Sequence, residues 1–137
     1  IRRDQPALGI GLQARPDWLN VKSGMLMDLK KTRDLSRFGT QSIDLGYHLQ
    51  ASLAGWCAAG DGICIEHSYL VAVEWERGAR CRVYEIPHEI LAHADREMRK
   101  LAAEVAERIA TNNWTDKQDV PEMLPIPAWV ERKMGAE

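Results

Sequence analysis

Two short strand-like runs, Asp17 to Lys22 and Met25 to Lys30, are separated by nothing but Ser23 and Gly24. A Ser-Gly link of that length reads as a tight turn, so the two runs form an antiparallel β-hairpin whose side chains alternate between faces. With Ser23 and Gly24 as the loop, Lys22 faces Met25, Asn20 faces Met27, Leu19 faces Asp28 and Asp17 faces Lys30. Asp17, Asp28 and Lys30 then share one face, directly opposite residues lying about 5 Å apart and diagonal ones about 7 to 8 Å. A slip of one residue would break the arrangement, because every side chain would change face.

Two carboxylates that close can hold a hard divalent cation through oxygen. A neighbouring ammonium can orient water and offset the charge that builds on a phosphodiester under attack. The triplet of an acid, any residue and a lysine is by itself a weak signal, since on an exposed strand it is ordinarily a solvated ion pair worth little. Its flanks make it more specific. The runs QARPDWLN (Gln13 to Asn20), MDLKKTRD (Met27 to Asp34) and GYHLQAS (Gly46 to Ser52) follow one another in order.

In these three runs the chain resembles the PD-(D/E)XK nuclease superfamily. The nearest branch is the exodeoxyribonuclease VIII-like exonucleases of phages and prophages, related to lambda exonuclease. The similarity extends from about Gly9 to the Pro-rich segment near Trp129. The resemblance implies an α/β fold with a restriction-endonuclease-like core, a central mixed β-sheet flanked by helices. It implies metal ligation by Asp17, Asp28 and the backbone carbonyl of Leu29, with Lys30 as catalytic lysine and Gln50 as the helical glutamine that follows the core. It further implies Mg²⁺, with Mn²⁺ as a substitute, and 5′ to 3′ degradation of double-stranded DNA ends in phage-type recombination. The partners implied are a ring-shaped homo-oligomer and a single-strand annealing protein. Members usually carry a further acid, often with a histidine, on a helix before the first motif. Here Ile1 stands sixteen residues before Asp17, so the chain is expected to be the C-terminal part of a longer protein. Two other readings stand beside the exonuclease: an endonuclease of the same superfamily, and an inert DNA-binding or assembly domain.

Composition agrees with a single α/β domain, since 137 residues at 45% hydrophobic can bury one moderate core. The net charge of −2 conceals an asymmetry, +4 over residues 1 to 40 and −6 over the remainder. Arg15, Lys22, Lys30, Lys31, Arg33 and Arg37 surround the proposed site, as phosphate contacts require, although a solvated face would look the same. Arg15, Trp18, Lys31, Thr32, Arg33 and Arg37 are the candidate DNA contacts. Cys57, Cys64 and Cys81, odd in number and lacking a CxxC pair, are expected to be reduced and mostly buried rather than a disulfide framework or zinc site. Of the five tryptophans, most are expected to serve core packing or docking of the tail, with Trp18 the candidate for base contact. No run of eighteen apolar residues and no signal-peptide pattern occurs, from which a cytoplasmic location without membrane partners is expected.

Along the chain, Leu8 to Leu12 and Asp17 to Lys22 are expected to form one bent or interrupted strand pair, with Pro16 restricting the backbone before Asp17. Lys31 to Gly39 reads as a basic loop. A helix is expected over Thr40 to Ala59, with Ile43, Tyr47, Gln50, Ala54 and Cys57 on one stripe and His48 turned towards the surface or an interface. After Gly60, Asp61 and Gly62, strands are expected over Ile63 to Ile65, Ser68 to Trp75 and Arg80 to Ile86, with a turn at Arg77, Gly78 and Ala79. Glu66, Glu74 and Glu76 are expected to face solvent. Pro87 to Asn112 carries a continuous apolar stripe on a helix that packs on the sheet. The segment 113–137, with Pro121, Pro125, Pro127, Trp114 and Trp129, reads as an extended tail touching a neighbouring subunit.

Overall fold

A computed structural model of the chain describes residues 1–5, 8–76, 80–114 and 125–134. Strands β1 (Arg2–Gln5) and β2 (Ile10–Gln13) form an antiparallel ribbon of their own. Strands β3 (Trp18–Asn20), β4 (Met25–Thr32), β5 (His67–Glu74) and β6 (Arg80–Glu85) form a mixed sheet in that order. Only β4 and β5 run parallel. Two antiparallel strands can be joined by a turn, but a parallel pair needs a crossover. Here it contains helices α1 (Phe38–Asp44) and α2 (Tyr47–Gly60). Helix α3 (His88–Thr111) follows β6, and a short α4 (Ala128–Met134) lies near the end of the chain. The molecule is therefore α/β, a four-stranded mixed sheet flanked by helices. Among the described residues no helix is long and apolar enough to cross a membrane.

The alternation of β5 shows which face is covered. Ser68, Leu70, Ala72 and Glu74 are buried, while His67, Tyr69, Val71 and Val73 are half-buried. Leu70 and Ala72 pack with Leu35, Phe38, Ala51 and Ile86, joined by Tyr47, Tyr84, Ile90 and Leu91. The core thus lies between the sheet and the helices. By strand parity, Leu26, Asp28, Lys30 and Thr32 of β4 look into it. On the opposite face Leu29 and Val83 are 59% and 58% exposed.

Several expectations are corrected by this arrangement. The link between β3 and β4 is a four-residue turn, Val21 to Gly24, and Trp18, Leu19 and Asn20 pair with Met27, Leu26 and Met25. The register is displaced by two residues from the two-residue loop, so continuing it brings Asp17 opposite Asp28 rather than Lys30. A two-residue slip preserves faces, so the two acids still share one. The cause is local. Asn20 Oδ1 accepts hydrogen bonds from the backbone N–H groups of Lys22 and Ser23 (3.0 and 3.3 Å), folding the chain before Ser23 is reached. Gly24 completes the turn at φ +61°, with its carbonyl accepting from the Glu66 and His67 N–H groups (2.8 and 3.2 Å). β2 pairs with β1 instead of joining β3, and Ile63 to Ile65 is not a strand.

The single helix expected over 40 to 59 is two, broken at Leu45 and Gly46, where Gly46 adopts φ +70°. Ile43 consequently lies on α1, 44% exposed, away from the Tyr47–Gln50 stripe. α3 matches its expected span and ends at Asn112 in the left-handed region, a common helix terminator. Its apolar stripe, however, is covered only in part, because Leu101, Val105 and Ile109 are 45%, 44% and 56% exposed. Cys57 is buried, but Cys64 and Cys81 are exposed. Trp56 is buried, whereas Trp18, Trp75 and Trp129 are exposed, so core packing does not account for most of the tryptophans. The tail is not wholly extended, since α4 carries Trp129. Pro121 and the turn at Arg77, Gly78 and Ala79 lie outside the described residues.

Glu74 is the largest departure. Expected in solvent, it is 0% exposed, and its two oxygens receive Arg80 Nη2 at 2.9 and 2.7 Å. Its Oε2 also accepts from the Leu35 N–H at 3.2 Å. The Arg80 hydrogen bond, aided by that of Leu35 and opposed by burial, holds the carboxyl below its usual 4.5. Reciprocally, Glu74 raises the pKa of Arg80.

Two outcomes are expected. Gly24→Ala requires a left-handed φ from alanine and brings Cβ to 2.7 Å from the Cys64 carbonyl oxygen. Backbone strain alone should lower stability by about 1–3 kcal/mol in urea unfolding; an unchanged midpoint would show that the turn relaxes freely. Because the Glu74 carboxyl is depressed on folding, its stabilisation is present above its unfolded pKa and disappears as pH falls through the lower folded value. The melting temperature of the wild type should exceed that of Glu74→Gln at neutral pH, and the gap should close below about pH 4.5. A gap independent of pH would contradict the ionised pair.

Candidate functional site

In a strand, residues two apart point the same way, which places Asp28 and Lys30 side by side on the covered face of β4. Asp28 is 7% exposed. Its Oδ2 pairs with the Lys30 ammonium, and the two side chains are 9% and 15% exposed. From α2, Gln50 accepts a hydrogen bond from Lys30 Nζ at its Oε1 (2.8 Å) and donates from Nε2 to Asp28 Oδ1 over a long 3.4 Å. One amide therefore reads both ends of the ion pair. Below it, the Tyr47 ring, one turn earlier on α2, lies 4.3 Å from Lys30 Nζ at its centroid. Indole and phenol faces attract cations, so the ammonium has an electrostatic seat apart from the carboxylate. The partner of the enclosed Asp28 Oδ2 is that ammonium. Taking both charges out of water is expensive, so a pair of this kind is a weak source of stability.

Asp17 approaches from the adjacent strand. β3 stops at Trp18, leaving the Leu29 N–H on that edge of β4 without a strand partner, and Asp17 Oδ2 accepts it at 2.7 Å. The N–H and C=O of one strand residue point to the same edge, so the Leu29 carbonyl is directed to the edge that Asp17 occupies. Arg15 and Pro16, just upstream, line a cavity of about 270 Å³ with Asp28, Tyr47 and Gln50. Its inner wall is apolar, formed by Leu26 and Leu70 among others.

Asp28, Lys30 and Gln50 are thus brought into direct contact, with Asp17 bound to the next backbone unit and Arg15 at the same cavity. The other basic and aromatic candidates are distributed elsewhere. Trp18 and Lys31 project to the opposite face of the sheet by parity, and Lys31 Nζ lies 4.3 Å from the centroid of Trp75. Thr32 is buried, its hydroxyl within 3.3 Å of the Asp34 carbonyl and amide. Arg33 is exposed and pairs with Glu76 at 3.2 Å. Arg37 is exposed at the start of α1. His48, expected at the surface or an interface, is partly exposed, and its Nδ1 is enclosed without a hydrogen bond beside a second cavity of about 180 Å³ between α1 and β6.

Sequence places Tyr47 on the Gln50 stripe without a task at the site and Glu74 in solvent, and it singles out Tyr84 not at all. The Tyr47 signal was its position three residues before Gln50, which puts both on one helical face. For Glu74 the signal was parity with Ser68, Leu70 and Ala72. Tyr84, whose hydroxyl donates to the Leu35 carbonyl at 3.1 Å, had no signal short of the β5–β6 register. Among the described residues no group of three His, Cys, Asp or Glu side chains converges on one point. Compared with models of known protein families and with curated proteins, the chain matches none.

Removing the Asp17 carboxylate should release the Leu29 amide. Asp17→Ala is expected to speed hydrogen exchange at Leu29 at least severalfold and to cost about 1 kcal/mol of stability, the net worth of one such bond. Unaltered exchange at Leu29 would mean that the bond does not persist in solution.

Proposed function

We propose that this chain is a Mg²⁺-dependent deoxyribonuclease domain of the PD-(D/E)XK type, hydrolysing phosphodiester bonds at the ends of double-stranded DNA. The observation that carries the reading is the contact of Asp28, Lys30 and Gln50, a largely buried ion pair with the glutamine at its exposed rim, and Asp17 bonded to the intervening Leu29. A lysine and a carboxylate withdrawn from water in this way serve chemistry better than stability.

The donor set suits a hard cation. Asp17, Asp28 and the Leu29 carbonyl offer oxygen alone, with Asp28 Oδ2 held by the Lys30 ammonium. Those three residues would hold magnesium, which when bound supplies Lewis acidity towards the scissile phosphate. Lys30 would orient the attacking water and stabilise the negative charge that develops on the phosphate. Gln50 and Tyr47 would keep the ammonium in place when Asp28 is otherwise engaged. Arg15, at the mouth of the cavity, would bind a backbone phosphate. The 5′ to 3′ polarity, the homo-oligomer and the annealing partner extend the same proposal and rest on the resemblance of the three motifs.

One observation favours a second reading. With no third acidic or histidine side chain beside Asp17 and Asp28 among the described residues, an inert DNA-binding or assembly domain is the alternative.

End-labelled linear duplex incubated with Mg²⁺ should lose mononucleotides with the wild type and not with Asp28→Ala. Covalently closed circles should resist both; cleavage of circles would identify an endonuclease, and a gel shift without cleavage by either protein would favour the binding domain. Lys30→Met should retain DNA affinity within about threefold yet lose roughly 10²–10³-fold in kcat, since the ammonium acts on charge present only in the transition state. Wild-type turnover in that variant would remove Lys30 from the mechanism. The same substitution frees an Asp28 oxygen from its ammonium, so Mn²⁺ binding in the absence of DNA should tighten when followed by calorimetry.

A further inference from the structure

Between Lys30 and α1 the chain passes through a loop, Arg33 to Arg37, that is tied to β4 at Asp34 through the Thr32 hydroxyl and to β5 and β6 at Leu35. Leu35 is 5% exposed, and both of its backbone groups are taken by side chains from other strands. Its N–H donates to Glu74 Oε2 of β5 (3.2 Å), and its carbonyl accepts from the Tyr84 hydroxyl of β6 (3.1 Å). Glu74 is itself fixed by two hydrogen bonds from Arg80. Phe38, the first residue of α1, is 2% exposed with its ring centroid 5.2 Å from that of Tyr84. Asp34 Oδ1 accepts from the Ser36 N–H (2.8 Å) and hydroxyl (2.7 Å), which folds the loop back on itself. The outer side then presents Arg33, Ser36 and Arg37, all exposed.

We infer that Glu74 and Tyr84 are positioning residues that hold the 33–37 loop so that Arg37, and Arg33 in exchange for its exposed pairing with Glu76, meet the DNA backbone. The inference rests on the nucleic-acid part of the proposed function and assigns the loop a task that its sequence position alone does not. A buried carboxylate is a costly way to satisfy one loop amide, since a backbone carbonyl or a water would serve. What a charged acceptor adds is a stronger, more directional bond. Glu74 stands below its usual pKa for the same reason, the Arg80 hydrogen bond first and the Leu35 amide in support. Two bonds on opposite sides of one residue fix where the peptide sits and how it is turned, which a single tether does not do. Long cationic side chains gain affinity from such a fixed base because less is lost in ordering them on the ligand.

The test is equilibrium binding of a fluorescein-labelled blunt duplex in EDTA, followed by anisotropy over a range of salt concentrations. Wild type, Glu74→Ala, Tyr84→Phe and the pair Arg33→Ala with Arg37→Ala are compared, as is Glu74→Ala added to that pair. Each neutralised phosphate contributes a slope of about −0.9 in log K against log salt, so release of one or two phosphates makes the slope shallower by about one to two. Affinity at ~0.1 M salt should fall about tenfold for each phosphate released. Glu74→Ala is expected to lose slope as the double arginine variant does, Tyr84→Phe to lose less in the same direction, and the triple variant to lose no more than the double. Where cleavage is measurable, KM should rise while kcat per folded molecule stays the same.

A purely structural role predicts otherwise: lower melting temperature and less active protein, with an unchanged salt slope and full additivity in the triple variant. That result overturns the inference. If Glu74→Ala does not fold, Tyr84→Phe decides alone, because it removes a single hydroxyl. Binding by the wild type without cleavage would sink the nuclease reading and leave this one standing on its slopes, whereas no binding by the wild type removes both.

Discussion

The parallel ladder between β4 and β5 runs through eight residues of each strand, Met25–His67 to Thr32–Glu74, and it decides where everything else must lie. A parallel pair obliges the connecting chain to cross over the sheet, and the crossover lays α1 and α2 on the face that Leu26, Asp28, Lys30 and Thr32 share with Ser68, Leu70, Ala72 and Glu74. Polar and apolar residues alternate in level along that face rather than in side. Leu26 lies level with Ser68 and Asp28 with Leu70, while Lys30, Thr32 and Glu74 lie towards the C-terminal ends of the strands. Small residues on α2, with Ala51, Ala54 and Ala58 at most 5% exposed, allow the helix to approach closely enough for Gln50 to reach over β4.

Much of this arrangement was legible because it depends on period. The two-residue repeat of β4 and β5 and the 3.6-residue repeat of α3 survive errors of a residue or two, and so does the face that each side chain occupies. The hairpin illustrates the point, since a register displaced by two kept Asp17 and Asp28 on one side while exchanging their partners. What was not legible depended on single residues overriding the pattern. The Asn20 side chain competed with the backbone for turn hydrogen bonds and lengthened the loop. Gly46, at positive φ, divided one apolar run into two helices. Proximity to a turn suggested solvent for Glu74, yet its parity with Ala72 and the reach of Arg80 placed it inside. Tertiary partners from other strands, as with Tyr84 and Leu35, leave no trace in local sequence.

Within the site, the energetics favour action over rest. Asp28 and Lys30 have surrendered most of their hydration, and their compensation is one amide, one aromatic face and each other. Such a pair is indifferent or costly to stability when apolar residues of similar volume could replace it. The nearby Glu74–Arg80 pair differs, because its carboxylate is satisfied on both oxygens and its arginine is 57% exposed to water. Among the described residues, then, one ion pair has both partners withdrawn from water and another keeps its arginine in it, on adjacent strands of the sheet.

The Gly24 carbonyl accepts hydrogen bonds from residues about forty positions later in the chain, at the point where the crossover returns to the sheet. A hairpin turn of this length ordinarily forms within microseconds from local contacts alone. Here the turn cannot satisfy its own backbone until α1 and α2 have been laid down and β5 has docked, so the loop-closure entropy of the whole crossover precedes the last bonds of the hairpin. The shortest-range strand pair of the sheet thus carries a bond whose formation waits on the longest connection between its strands.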